Sequence, residues 1–213
     1  MAAFLYPIYT VATLGLALWG VSLFQQSHQI STILLIIVLV GMTYDNLIVS
    51  AGRLIDEGAL LKFLNRLRFL FHNLFVPLLI VVAVKLACNA GVVWASNPIV
   101  CKGCWAIATG MVAFGLVSDF RQLELTPTTF AGTLRYKPKS CGAPILTILT
   151  ALLVAVAGFY IWQETQWLWM FVGTLIMLFG NALPGRIFGP LVGSAVDCIF
   201  IVGLLATELI IMH

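Results

Sequence analysis

Charge is what this chain has least of. Only 9% of its 213 residues are Asp, Glu, Lys or Arg, where soluble domains carry about a quarter. Hydrophobic residues make up 62%, and the mean hydropathy is +1.08. A water-soluble core could not hide that much apolar side chain behind so little polar surface, so lipid is the expected solvent. A crossing helix needs about 20 mostly apolar residues. Several crossings therefore consume the chain, and no sizeable soluble domain remains.

Other absences narrow the chemistry. There is no P-loop, no Rossmann glycine pattern and no His-Glu-x-x-His. No paired Asp-rich motif of the kind that holds prenyl diphosphates through magnesium is present. The last apolar segment has no Lys, which removes the retinal-protein reading that a seven-helix count invites. Lys85 falls at a membrane edge and is no substitute. The apolar N-terminus, MAAFLYPIYTVATLGLALWGVSLF, lacks the basic region that opens a signal peptide, and no cleavage site leads into a soluble domain; it is expected to be retained as the first span. Long Pro-, Ser- or Gly-rich linkers and internal repeats are missing too. The +3 net charge comes from cations that flank apolar runs, so nucleic acid is not an expected partner. No cofactor is indicated.

What the chain does have is seven apolar segments, at about 4–24, 30–52, 67–88, 100–119, 142–162, 167–184 and 188–211. Their length and continuity predict helices rather than barrel strands. The expected fold is an all-α membrane protein, one polytopic domain over 1–213 with about seven transmembrane helices. Lys and Arg sort to one side. The second connection holds Arg53, Lys62, Arg66 and Arg68, the fourth Arg121, Arg135, Lys137 and Lys139, and the sixth Arg186. The first and fifth hold none, and the third holds Lys102. That asymmetry predicts the N-terminus inside and the C-terminus outside. Within the second connection, Leu60, Leu61, Leu64 and Leu67 alternate with Lys62, Arg66 and Arg68, a pattern for an interfacial helix with its cations on anionic headgroups, or for ordinary flanking anchors.

Against this background a few polar residues are out of place. The second segment runs ISTILLIIVLV into GMTYDNLIVSAGRLIDEG, placing Tyr44, Asp45 and Asn46 together within a span. An Asp at mid-helix costs insertion about 2.5–3.5 kcal/mol, and each apolar neighbour returns only about 0.3–0.6 kcal/mol. The span inserts despite Asp45, which then needs a partner, water or a proton. His72, Arg53 and Arg186 are candidates by depth. His72, Asn73, Asn181 and Asp197 fall at the same inner level on other segments. Gly41, Asp45 and Gly52 share a helix face, and Gly189, Gly193 and Asp197 recur every four residues, a spacing that lets helices approach closely. Pro77 removes a backbone donor and is expected to kink the third span. The candidate pocket is thus Tyr44, Asp45, Asn46, Arg53, His72, Asn73, Asn181 and Asp197, with Asp45, His72 and Asp197 as its ionisable members. A purely structural network that fixes helix register would use the same residues. Asp119 reads as interfacial, and Glu208, close to the outer end of the last span, as solvated.

Five cysteines include Cys101 and Cys104, a C-x-x-C at the outer mouth of the fourth span, with Cys88 at the same level. A disulfide between Cys88 and one of the pair, free thiols, or thiol exchange all fit. A metal centre would need further ligands that the sequence does not place nearby.

Three functions follow. The first is a small carrier or handler of a lipid, isoprenoid or small solute, with an inner-side polar pocket. The second is a membrane-embedded enzyme using the carboxylates and His72 as acid and base on a lipid or isoprenoid. The third is a non-catalytic subunit of a larger membrane complex, photosynthetic or respiratory, for which the aromatics Trp162, Trp167 and Trp169 would serve as contacts or, more simply, as an interfacial belt. Membrane lipids, and in the third case other subunits, are the expected partners.

Overall fold

The computed structural model of the chain describes residues 2–139, 144–182 and 191–212. Within them the helices are α1 (Ala2–Ser27), α2 (Ile30–Ile55), α3 (Ala59–Phe75), α4 (Leu78–Asn89), α5 (Pro98–Gly115), α6 (Ile145–Thr165), α7 (Trp169–Ala182) and α8 (Leu191–Met212), with one hairpin, β1 (Leu125–Phe130) and β2 (Thr133–Pro138). The all-α class is correct, and the long apolar helices are those of a membrane protein. Among the described residues six spans are long and apolar enough to cross a membrane: Phe4–Ser27, Ile30–Ile55, Ala59–Asn89, Pro98–Phe120, Ile145–Thr165 and Leu191–Met212. The segment expected at 167–184 forms the 14-residue α7, shorter than a full crossing.

The distribution of side chains is inverted relative to a soluble protein. Phe4, Ile8, Val11, Leu14, Leu18 and Val21 are all at least 40% exposed, and they recur every three to four residues down one face of α1. Thr13, Asn65, Arg68, Thr174, Thr207 and Glu208 are buried. An apolar stripe of that size has no stable place in water, and in lipid it is the ordinary outer face.

α4 is the central post. Every residue from Leu79 to Val84 is buried, and the helix packs against α2, α5, α6 and α8. α1 lies along α2, and α7 along α8. Pro77 separates α3 from α4 as its missing N–H requires: the turn closes instead through Leu79 N to Val76 O and Ile80 N to Pro77 O, both 3.1 Å. α3 begins at Ala59, so the amphipathic second connection is the first half of one long element and not a separate surface helix. Its buried face carries Leu61, Asn65 and Arg68. Lys62 and Arg66 are exposed, but Arg68 turns inward, away from the headgroup role it shared with them in the sequence pattern.

The hairpin was not expected. Its two-residue turn uses Ala131 and Gly132, both at positive φ (45° and 94°), the backbone that joins twisted strands without splaying them. Opposite Tyr136 stands Pro127, which has no N–H to give the ladder. The Tyr136 N–H leaves the strand pair and donates to Asn65 Oδ1 at 3.2 Å. Tyr136 itself is buried with Ile48, Leu61 and Leu125. The hairpin sits close on α2 because Gly52 has no side chain: a Cβ there would overlap the Leu134 carbonyl oxygen.

Candidate functional site

Two cavities open at the hairpin end of the bundle. The narrow one, about 130 Å³, is walled by α2, α3, the turn after α3 and α8, and its polar lining is Asp45, Asn46, Arg68, His72, Ser194 and Asp197. The wide one, about 380 Å³, lies between α3, the end of α5, the hairpin and α6. Its polar lining includes His72, Asn73, Ser118, Asp119, Gln122 and Glu124. His72 is the one residue among those described that lines both. Its Nε2 lies 3.1 Å from Thr147 Oγ1 on α6.

The ion-pair partner of Asp45 is Arg68. Its Nε donates to Asp45 Oδ1 at 2.8 Å, and its Nη1 donates to Asn65 Oδ1 at 2.7 Å. Neither His72 nor Arg53 takes that position: Arg53 is exposed and lines neither cavity, and Arg186 lies outside the described residues, as do Pro184, Gly185, Gly189 and Cys141. The pair is asymmetric. Arg68 is 9% exposed and Asp45 is 41% exposed, so the cation is packed while the carboxylate faces the cavity. Asn65 is the hinge of the arrangement. It donates to the Leu61 carbonyl at 2.8 Å and accepts from both Arg68 and the Tyr136 backbone. One amide thereby connects hairpin docking to the placement of the guanidinium that holds Asp45.

Arg135 on β2 approaches the same cluster from the hairpin. Burial pushes its guanidinium below the usual arginine range, with Arg68 adding to that shift and Tyr6 and Asp45 opposing it. An arginine remains charged regardless. Its Nε is buried without a partner among the described residues, as is the Tyr6 hydroxyl.

The other expected pocket members divide. Asn46 is 4% exposed; its amide N–H donates to Met42 O at 3.1 Å, and its Oδ1 has no partner among the described residues. Asp197 accepts from Asn181 Nδ2 at 3.0 Å. Tyr44 backs the site, donating to Leu64 O at 3.1 Å with its ring edge on Phe71. Asn73 turns to the other side, donating to Gly115 O at 3.2 Å, and lines only the wide cavity. Asp119 lines the wide cavity as well. It is carried there by a wider turn over Leu116–Phe120 that ends α5, closed by Arg121 N to Leu116 O at 3.1 Å. Such wide turns are common at functional sites. The close-approach glycines act as their spacing predicted: a Cβ at Gly41 would stand 2.6 Å from Phe75 Cδ2, and one at Gly193 would stand 2.9 Å from Asn181 Oδ1.

Sequence reasoning overlooked Arg68, Asn65, Arg135 and Ser194. For the first two a signal existed. Leu61, Asn65, Arg68 and His72 are spaced four, three and four apart, so Arg68 shares a face with His72. Arg135 and Ser194 carried no such mark.

At the opposite end the thiols are free. Cys88 Sγ is 3.6 Å from Ser96 Oγ, Cys101 Sγ donates to Ala95 O at 3.3 Å, and Cys104 Sγ donates to Cys101 O at 3.1 Å. The C-x-x-C occupies the start of α5, which Asn97 caps by accepting from Ile99 N at 2.8 Å. Glu208 is not solvated. It is 1% exposed and accepts from Thr32 Oγ1 at 2.8 Å and Ser31 Oγ at 3.3 Å, because α2 begins directly against the end of α8. Trp167 is half-buried and donates to Thr207 Oγ1 at 3.0 Å, while Trp162 and Trp169 are exposed.

No protein-family model, curated protein or solved structure matches this chain.

Proposed function

We propose that the chain is a polytopic membrane protein whose polar cavity, on the inner side of the membrane, binds the polar head of a lipid or isoprenoid or a small solute. The observation that carries this is the narrow cavity itself. Asp45, Asn46, Arg68, His72 and Asp197 come from three helices to one hollow, at a depth where ionisable groups are costly and mark sites. A closed structural network would leave no hollow. The cavity has room for roughly four waters, enough for a head group and not for a chain.

The orientation that fits is N-terminus inside and C-terminus outside, with the cation-rich hairpin end facing the cytoplasmic side, and seven crossings. α7, at 14 residues, rises about 21 Å, so a seventh crossing there fits a locally thinned bilayer.

The test is native mass spectrometry of the protein extracted in mild detergent, wild type beside Asp45→Asn. A specific small molecule held by the wild type and lost from a folded Asp45→Asn protein supports the reading; an equally loaded variant, or a wild type that carries nothing, overturns it. A second reading, an enzyme using acid and base on the same ligand, is favoured by His72 standing between Asp45 on one side and Asp119 on the other. It requires a product whose formation stops in His72→Gln while the ligand still binds.

A further inference from the structure

We propose that Cys101 and Cys104 form a thiol–disulfide exchange site for a peptide disulfide. This chemistry is independent of the polar cavity at the other end of the bundle. Burial divides the work between the two thiols. Cys101 stands in the first turn of α5 and is half-buried, while Cys104 is 3% exposed. The Cys104 thiol points back along the helix and donates to the Cys101 carbonyl at 3.1 Å. Cys101 is thus the sulfur that can meet a partner, and Cys104 is the sulfur held behind it. The third thiol flanks the pair. Cys88 Sγ rests on Ser96 and Cys101 Sγ on Ala95, successive residues of one turn.

A bridge between Cys101 and Cys104 is within reach and strained. Residues three apart on a helix have Cβ atoms about 5–6 Å apart, and a disulfide needs about 3.5–4.5 Å. Closing it draws in the first turn, and a bridge held that way is readily reopened. The turn has room to move. Of the two intervening residues, Lys102 is exposed, and a Cβ added at Gly103 would meet nothing within 4 Å. The same open space lets a partner's backbone come up to Cys101. The surroundings carry positive charge, as they do around exchange thiols. Lys102 follows Cys101, and Lys85 precedes Cys88 by three residues on α4, which puts the two on one helix face. Neither lysine is paired with a carboxylate among the described residues.

The exchange runs in two balanced steps. Cys101 gives up its proton and its sulfur attacks one sulfur of the partner's disulfide. The partner's S–S bond breaks, and its other sulfur leaves and takes a proton. Cys104 then gives up its proton and attacks Cys101 Sγ, releasing the partner's second sulfur as a thiol. Two thiols here are oxidised to one disulfide, and the partner's disulfide is reduced to two thiols; the reverse steps restore both.

The test uses the full-length protein in mild detergent and oxidised glutathione as the peptide disulfide. After incubation the remaining thiols are alkylated, and each cysteine is located by mass spectrometry. The wild type is expected to gain a Cys101–Cys104 bridge that excess reduced glutathione reopens. Cys104→Ser should stall with glutathione on Cys101, at least tenfold more than the wild type holds. Cys104→Ala, which needs no hydrogen bond in that buried position, repeats the trap should the serine disturb folding. Cys88→Ser should behave as the wild type. Equal glutathione on Cys101 with and without Cys104, or a bridge that joins Cys88 instead, overturns the assignment. So does a wild type whose thiols stay reduced, or a bridge that reduced glutathione leaves closed, which would be a structural disulfide.

Discussion

Two regions of this molecule set a carboxylate within an apolar helix, and they are built differently. At one end Glu208 is 1% exposed and enclosed by the Ser31 and Thr32 hydroxyls, with no cavity beside it among those described. At the other end Asp45 is held by Arg68 but is 41% exposed to a hollow. The first carboxylate joins α8 to the start of α2 and uses short hydroxyl side chains to do so. The second is held by a guanidinium, which is itself oriented by Asn65 and by the hairpin backbone. An intramembrane carboxylate is therefore not a site on that ground alone. What distinguishes the Asp45 region is empty space next to a charge whose partner is fixed from behind.

The comparison breaks most completely at Gly52. A Cβ there overlaps the Leu134 carbonyl, which is backbone and cannot rotate away. Gly52→Val is expected to cost about 3 kcal/mol and to lift the hairpin from α2. Limited proteolysis near Ala131–Gly132 should rise, and ligand should be lost through Asn65 and Arg68. The Glu208 end should be untouched. A Gly52→Val protein with wild-type protease resistance would show that the hairpin does not depend on this seat.

Arg68→Leu comes next. A fully enclosed ion pair that loses one partner costs about 3–5 kcal/mol. Because Asp45 faces the cavity, about 2 kcal/mol is expected, read as a shift in a denaturant titration of the detergent-solubilised protein. Adding Asp45→Asn should recover more than half of that loss, since it removes the stranded charge. If the double variant is no more stable than the single one, the pair is not the coupling in question.

Much of this was legible in the sequence, and the exceptions have physical causes. Apolar run length located the helices, and Pro77 located the break between α3 and α4. Gly41 and Gly193 marked close packing because a residue without a side chain leaves room for a neighbour's. Asp45, Asn46, His72 and Asp197 were legible as one cluster because charge within an apolar run has few reasons to persist. Arg68 was not, because an arginine near a helix end reads equally well as an anchor, and only tertiary packing decides which face is buried. The hairpin escaped because ELTPTTFAGTLRYKPK has the cations of a positive-side connection, and two six-residue strands gain their stability from α2 and α3 rather than from their own pattern. Glu208 was misread for a related reason. Distance from a span's end suggests solvent, yet the start of α2 covers it.

Glu208 itself gives a smaller effect. Glu208→Leu leaves the Ser31 and Thr32 hydroxyls without their acceptor, and about 1–2 kcal/mol is expected. The loss stays below that of Arg68→Leu because both hydroxyls can turn to helix carbonyls and Thr32 already meets Ser27 at 3.1 Å. Glu208→Gln keeps an acceptor oxygen and should cost less. Neither should change ligand retention, which is the sharper half of the comparison; an effect on retention would tie the two ends together.

The smallest stability change belongs to Asp197→Asn, and it is the most informative. The side chain keeps its shape and an oxygen to accept from Asn181, and the change removes a charge with no cation beside it among the described residues. Stability should hold within about 0.5 kcal/mol or improve, as for substitutions that leave packing intact. Ligand retention should nevertheless fall. The same isosteric swap at Glu208 leaves function unchanged and trims stability, so the two variants form a crossed pair. If Asp197→Asn instead destabilises the protein and leaves binding intact, Asp197 belongs with Glu208 as a structural carboxylate, and the ligand is held by the rest of the cavity lining.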